Sequence, residues 1–203
     1  MFFYNFNAKD KCSNSTKDKI LESALTLFST NGYFKTSVHD IQAHSGVSIG
    51  SIYNYFYGKP EIALELRAQI LEQMKDAFAD TLSKQKNFKD KYFAVLELLF
   101  VMTEKEPRTM NFILNSSTTE YLENSGNIFE SDAFNLFLHH LDNVLLNEFN
   151  VVKRKNKEFI LSVFFGLPVN LIKLRLDGII EDPLEKKIDQ IINTILMGAI
   201  KEY

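Results

Sequence analysis

The chain has one cysteine, Cys12, in 203 residues. An intrachain disulfide is therefore excluded and no thiolate set for a zinc site exists, which fits a reducing compartment. Only four prolines interrupt the sequence, and no alternating apolar pattern of any length is present, so strands are not expected. No stretch reaches the roughly 18 to 20 uninterrupted apolar residues that a membrane span needs. The nearest, Phe159 to Leu176, is broken by Gly166, Pro168, Asn170, Lys173 and Arg175. The apolar start MFFYNF stops at Asn7 without a basic lead or a small-residue cleavage site, so it does not read as a signal peptide. A soluble, cytoplasmic protein with no membrane contact is the expectation. Phosphate-cradling glycine loops and nucleophile–base spacings are also missing, so no enzyme chemistry, metal or cofactor is expected.

What is present is 45% hydrophobic residues in a chain long enough to bury a substantial core. The net charge of -3 is unevenly spread. Residues 1–60 carry six lysines against four acids, net +2, and the remainder carries 17 Lys or Arg against 22 acids, net -5. That asymmetry alone does not call for a polyanionic partner.

Helical periodicity dominates. Ile20, Ala24, Leu27 and Phe28 form an amphipathic stripe that predicts a helix over Thr16 to Asn31, stopped by Gly32. Ser37 followed three residues later by Asp40 predicts a capped short helix to His44, which Gly46 can close. Ser48 caps a third, about Ile49 to Phe56, and GKPE opens a fourth that runs to about Leu82. Further helices are expected at Lys91 to Met102, apolar nearly all round and so read as buried on every side, and at Pro107 to Asn115. Others are expected at Ser131 to Phe149, Lys157 to Leu176 with a kink at Pro168, and Pro183 to Ile200, with a loop over Ser116 to Asn127. The fold class is all-α.

Two short helices joined by a glycine-containing turn and backed by a longer one make a helix-turn-helix. Val38, Ile41, Val47, Ile52 and Phe56 are spaced to pack on Ala24 and Phe28, which leaves Ser48, Gly50, Ser51, Tyr53, Asn54 and Tyr55 pointing outward. Hydroxyls, amides and backbone N–H groups donate to phosphate oxygens. Gly50 lets a backbone approach, Lys59 adds a positive charge, and Thr36 can reach a phosphate from the far side. Asn54 can pair with adenine, and Ile49 or Ser51 can pack on a thymine methyl. From spacing alone, a small three-helix subdomain with hydroxyl caps explains the pattern equally well.

Thr16 to Leu66 resembles the N-terminal DNA-binding domain of the TetR family of repressors. The matching pieces are the A…LF…GY…T of the first helix and its exit, the V..I of the second, GVS.GS.Y.YF, and K.E.AL; they cover about a quarter of the chain. The resemblance implies DNA contacts, mostly to phosphates, from Thr36, Ser48, Gly50, Ser51, Tyr53, Asn54, Tyr55 and Lys59. It also implies a homodimer on a palindromic duplex operator, a small effector, and dimerisation through the last two helices. The domains are then a tail over 1–14, a helix-turn-helix domain over 15–60, and a helical ligand-binding and dimerisation domain over 61–203.

In that second region, helix-period placement predicts that Met74, Phe78, Phe93, Leu96, Phe100, Met110, Ile113, Phe134, Phe137, Leu138, Phe164 and Phe165 converge inside. Such residues can line an apolar pocket for a largely apolar effector, although plain core is their commoner role. Glu97 would pair with a cationic ligand if it faced a cavity, and means little at a helix edge. His139, His140 and Asp142 do not make a metal site, because adjacent histidines diverge on a helix. KRKNK, Lys153 to Lys157, reads as solvated. Lys9, Lys11 and Lys17 can form a basic arm beside DNA. The Ile-rich stripe of the last helix, Leu184, Ile188, Ile191, Ile192, Ile195 and Ala199, is expected to bury itself against a second copy. The rival function is an interaction module whose helix-turn-helix no longer binds DNA.

Overall fold

A computed structural model describes residues 15–116 and 157–200. Its helices are α1 (Thr16–Asn31), α2 (Val38–Ser45), α3 (Ile49–Tyr55), α4 (Lys59–Ser83), α5 (Phe88–Lys105), α6 (Pro107–Ser116), α7 (Lys157–Leu176) and α8 (Ile188–Ile200), the last preceded by a 3-10 turn at Leu184–Lys187. No strand occurs among the described residues, and no described helix is long and apolar enough to cross a membrane. The chain is all-α. The expected helix over Ser131 to Phe149 and the loop over 117–127 lie outside the described residues, as do Phe134, Phe137, Leu138, His139, His140, Asp142, Lys9, Lys11 and KRKN at 153–156.

The helix ends follow from local chemistry. α1 and α2 both start with reciprocal capping boxes, in which the Ser15 hydroxyl accepts from the Asp18 N–H at 3.1 Å and the Ser37 hydroxyl from the Asp40 N–H at 3.2 Å. Each aspartate returns the bond to its cap's N–H, which satisfies two otherwise orphaned donors per helix. Gly46, at φ 68°, closes α2 in the left-handed region that side-chain-bearing residues avoid. α5 starts earlier than expected because Asn87 caps it, accepting from the Asp90 N–H at 2.9 Å.

The chain forms two compact units. The first contains α1, α2, α3, α4 as far as Met74, and α6; the second contains the end of α4, α5, α7, the 3-10 turn and α8. The core of the first is Ile20, Leu21, Ala24, Phe28, Ile41, Val47, Ile52, Phe56, Ile62 and Leu66, all buried. Burying one such large side chain contributes about 1.5–3 kcal/mol, so Ile52, fully buried, fixes which face of α3 turns inward. α6 packs on α1. The Phe28 and Phe112 rings stack with centroids 5.9 Å apart, Asn111 Nδ2 donates to the Ser29 carbonyl at 2.9 Å, and the Arg108 guanidinium donates to Thr26 Oγ1 at 2.9 Å.

In the second unit α5 packs on α7 and α8. Pro168 lies inside α7 and cannot donate to the carbonyl of Phe164, four residues earlier. The buried Tyr92 hydroxyl supplies the missing donor at 2.6 Å, while its ring meets Phe164 edge-on with centroids 5.3 Å apart. In the last turn of α7, Arg175 forks onto both carboxylate oxygens of Glu104 at 2.7 Å and also donates to the Ile180 carbonyl at 3.0 Å, pinning the loop that Gly178 turns at φ 73°. The bonds from Arg175 hold the Glu104 carboxyl below the usual carboxylate range.

Three expectations change here. α5 is not buried on every side: Phe93 is 36% exposed and Glu97 is exposed, because the two sit four residues apart on a face that α7 and α8 leave uncovered. The Ile stripe is not left over for a second copy either. Leu184, Ile188, Ile191, Ile192 and Ile195 are buried within one protomer, where α8 and the turn pack on α5 and α7. The Ala199 side chain lies outside the described set. The start of that last helix also differs, since Pro183 gives no side-chain cap and Leu184–Lys187 winds as 3-10.

Candidate nucleic-acid interface

α3 is short and uncharged. Its start is fixed by Ser48, whose hydroxyl accepts from the Ser51 N–H at 3.1 Å and lies 2.8 Å from the Ser51 hydroxyl. The preceding turn is tied by the Ser45 hydroxyl, which accepts from the Val47 N–H at 3.2 Å. With Ile52 and Phe56 turned into the core, the opposite face carries Ser48, Gly50, Tyr53, Asn54 and Tyr55, all exposed, with Ser51 half-buried. A Cβ added at Gly50 would meet nothing within 4 Å. The glycine is therefore not demanded by packing inside this chain, and its open surface suits the close approach of something outside it.

The outward set presents two phenols, an amide and hydroxyls with no carboxylate among them, which suits hydrogen bonding to phosphate oxygens and base edges. The nearest acid on α2, Asp40, is engaged by the Ser37 hydroxyl and N–H at 2.7 Å each, and these bonds hold its carboxyl below the usual range.

Three expected contacts sit differently. Thr36 is buried, and its hydroxyl donates to the Gly32 carbonyl at 2.9 Å, so it closes the exit of α1 instead of facing outward. Half-buried Lys59 donates from Nζ to the carbonyls of Tyr33 at 2.9 Å and Thr36 at 2.8 Å, and lies 4.1 Å from the centre of the Tyr33 ring. Burial pulls its ammonium below the ordinary lysine range. Lys17 is not part of a free basic arm: it pairs with Glu65 at 2.6 Å and sits 5.8 Å from the Phe56 ring centre.

Two exposed aromatics escaped the sequence reading. Tyr57 is 94% exposed and Phe34 is 78% exposed, each in a loop next to this surface. The only sequence signal was an aromatic outside any helical stripe. The expected pocket residues divide between the units. Met74, Met110 and Ile113 are buried in the first; Phe78, Leu96, Phe100, Phe164 and Phe165 are buried in the second; Phe93 and Glu97 are exposed.

Residues 20–66 match the model of bacterial regulatory proteins of the tetR family. A fatty acid metabolism regulator protein of Bacillus subtilis (strain 168) is 25% identical over 122 residues, 55% of this chain. The match spans 63% of that relative's length. Among solved structures, a TetR family transcription regulator from Marinobacter aquaeolei VT8 superposes with a TM-score of 0.77 at 18% identity, over 93% of this chain and 96% of that one. The Bacillus subtilis regulator FadR in complex with stearoyl-CoA gives 0.62 at 18% identity, over 89% and 97%. These likenesses share the fold described above.

Proposed function

From the match of residues 20–66 to the model of the tetR family of bacterial regulatory proteins, we propose that this chain is a TetR-family transcriptional repressor that binds a palindromic duplex operator as a homodimer and releases it on binding an effector. The observation that carries the reading is the α3 face: Ser48, Gly50, Tyr53, Asn54 and Tyr55 exposed around a buried Ile52 on a helix without a charge. Asn54 reads a base edge, and the hydroxyls with the open backbone at Gly50 engage phosphates. Thr36 is left out of the contact set, since its hydroxyl is spent inside the chain.

The chain acts where its DNA is, in the cytoplasm, and no catalytic role is assigned to it. Its dimer uses the last two helices, through the faces left open: Ser162, Gly166, Leu167 and Asn170 on α7 with Asn193 and Thr194 on α8. Two-fold symmetry then sets the two α3 helices about 34 Å apart, or a multiple of it. The effector is a small, largely apolar molecule, and a fatty acyl thioester is its proposed class. That class is supported by the fatty acid regulator among the relatives and by the aromatic interior of the second unit, Phe78, Phe100, Phe164 and Phe165. Binding lowers DNA affinity only to the extent that the effector prefers the form that cannot span the operator.

The test is a selection of random duplexes by the purified protein at two salt concentrations, with and without acyl-CoA. A palindromic motif, bound more weakly at high salt and released by acyl-CoA, is expected. Failure of a folded dimer to enrich any sequence, or a shallow salt slope, would favour an interaction module instead.

A further inference from the structure

We propose that Lys59 is a positioning residue, a latch that holds the turn between α1 and α2 and with it the start of α2, in place of the phosphate contact its position suggests. The inference concerns how the DNA-binding unit is kept in shape, and its DNA arm rests on the function proposed above.

The turn spans Tyr33 to Thr36 and is closed by its own bond, from the Thr36 N–H to the Tyr33 carbonyl at 3.2 Å. Lys59 Nζ donates to the carbonyls at both ends of that turn, at 2.9 and 2.8 Å. It also stacks its charge over the Tyr33 ring at 4.1 Å. Two of its three N–H donors and one face of its charge are thus committed inside the chain. Two circumstances give these bonds a structural consequence. The last turn of α1 has no basic residue of its own, so the Lys59 ammonium adds a positive charge at the negative end of its dipole. The second carbonyl, that of Thr36, directly precedes Ser37, the cap of α2. Because Lys59 is the first residue of α4, the latch ties the entry of α2 to the first turn of α4.

Two measurements test it. The first is ammonium proton–nitrogen correlation spectroscopy on the wild-type chain, with the Lys59→Met spectrum assigning the Lys59 signal. The Lys59 ammonium is expected to be visible, protected from solvent exchange, in the free protein, and to stay in place when sheared duplex DNA is added at low salt. An ammonium that is unprotected in the free protein, or that shifts on adding DNA as a phosphate ligand would, overturns the latch. The second is the salt dependence of DNA binding by Lys59→Met. The latch predicts affinity lowered roughly threefold to tenfold, as for one lost hydrogen-bonding group, with the slope of log K against log salt unchanged. It also predicts faster amide exchange at Thr36. A slope shallower by about 1.8, the signature of one lost phosphate contact in each protomer of the dimer, overturns it. If the wild-type chain bound no DNA, the proposed function would fall, while ammonium protection and amide exchange in the free protein would still decide the latch.

Discussion

Replacing Tyr92 with Phe isolates a single hydrogen bond whose reason for existing is visible in the sequence. Pro168 leaves the Phe164 carbonyl without its normal helical donor, and the Tyr92 hydroxyl fills the gap at 2.6 Å in a fully buried site. Burial also pushes the phenol's pKa well above its usual range, so it remains a donor at any working pH. A phenylalanine keeps the edge-on contacts to Phe164 and Phe165, with centroids at 5.3 and 6.4 Å, and removes only the donor. The buried carbonyl then loses this donor, a cost of about 1–3 kcal/mol. In a chain of this size each kcal/mol lowers Tm by roughly 2–4 °C. The decisive experiment is a double-mutant cycle with Pro168→Ala, read by urea unfolding at one fixed protein concentration so that dimerisation does not bias it. Alanine restores an N–H four residues after Phe164, so Tyr92→Phe is expected to cost much less in that background. A coupling of about 1–2 kcal/mol follows. The effects of Pro168→Ala on the unfolded chain cancel in the cycle. Equal costs of Tyr92→Phe in the two backgrounds would refute the account.

Other substitutions probe separate links. Gly46→Ala should lower stability by about 1 kcal/mol, because φ is 68° and the added methyl meets nothing within 4 Å, leaving backbone strain as the sole cost; a shift in the urea midpoint measures it, and no shift would disprove the strain. Glu104→Gln should be less stable than wild type at neutral pH. Since the native Glu104 pKa is depressed, its contribution is complete above the ordinary glutamate value of about 4.3 and is lost as pH falls through the native value. The two unfolding curves should therefore converge in acid, and a pH-independent gap would show that the charge does not matter. Asn54→Ala should change which duplexes are selected by about 1–3 kcal/mol at one base position per half-site; an unchanged motif would remove Asn54 from base recognition.

Local signals were legible, and partner choice was not. Both ends of α1, both bounds of α7 and the serine caps of α1's neighbours α2 and α3 could be read from sequence, because caps and stops act over three or four residues. The outward face of α3 followed from the spacing of Ile52 and Phe56. What failed was the assignment of the surface that each group meets. An amphipathic stripe says that a helix buries a face and leaves open against what, so it does not show that Ile188, Ile191, Ile192 and Ile195 are covered by their own protomer and not by a second copy. The Thr36 hydroxyl and the Lys59 ammonium have the chemistry of phosphate ligands, yet carbonyls brought near by the turn after α1 claim them first. The Asn87 cap is a local signal of the same kind, and it sets the first turn of α5 ahead of the apolar run that begins near Lys91.

The same sorting of polar groups bears on how the proposed repressor reaches specificity. In the first unit the hydroxyls of Ser15, Thr36, Ser37 and Ser48 hold turns and caps, and two cations, Lys17 and Lys59, are engaged within the chain. The exposed part of α3 keeps an amide, two phenols and an open backbone, with no charge. With no charge on α3, one copy alone would hold DNA weakly, and the salt dependence of the complex rests on the phosphate contacts of both copies together. Specific binding must then come from two copies acting together, where the second contact is intramolecular and strengthens binding only when the operator spacing fits the dimer. Spacing therefore decides more than any single base contact.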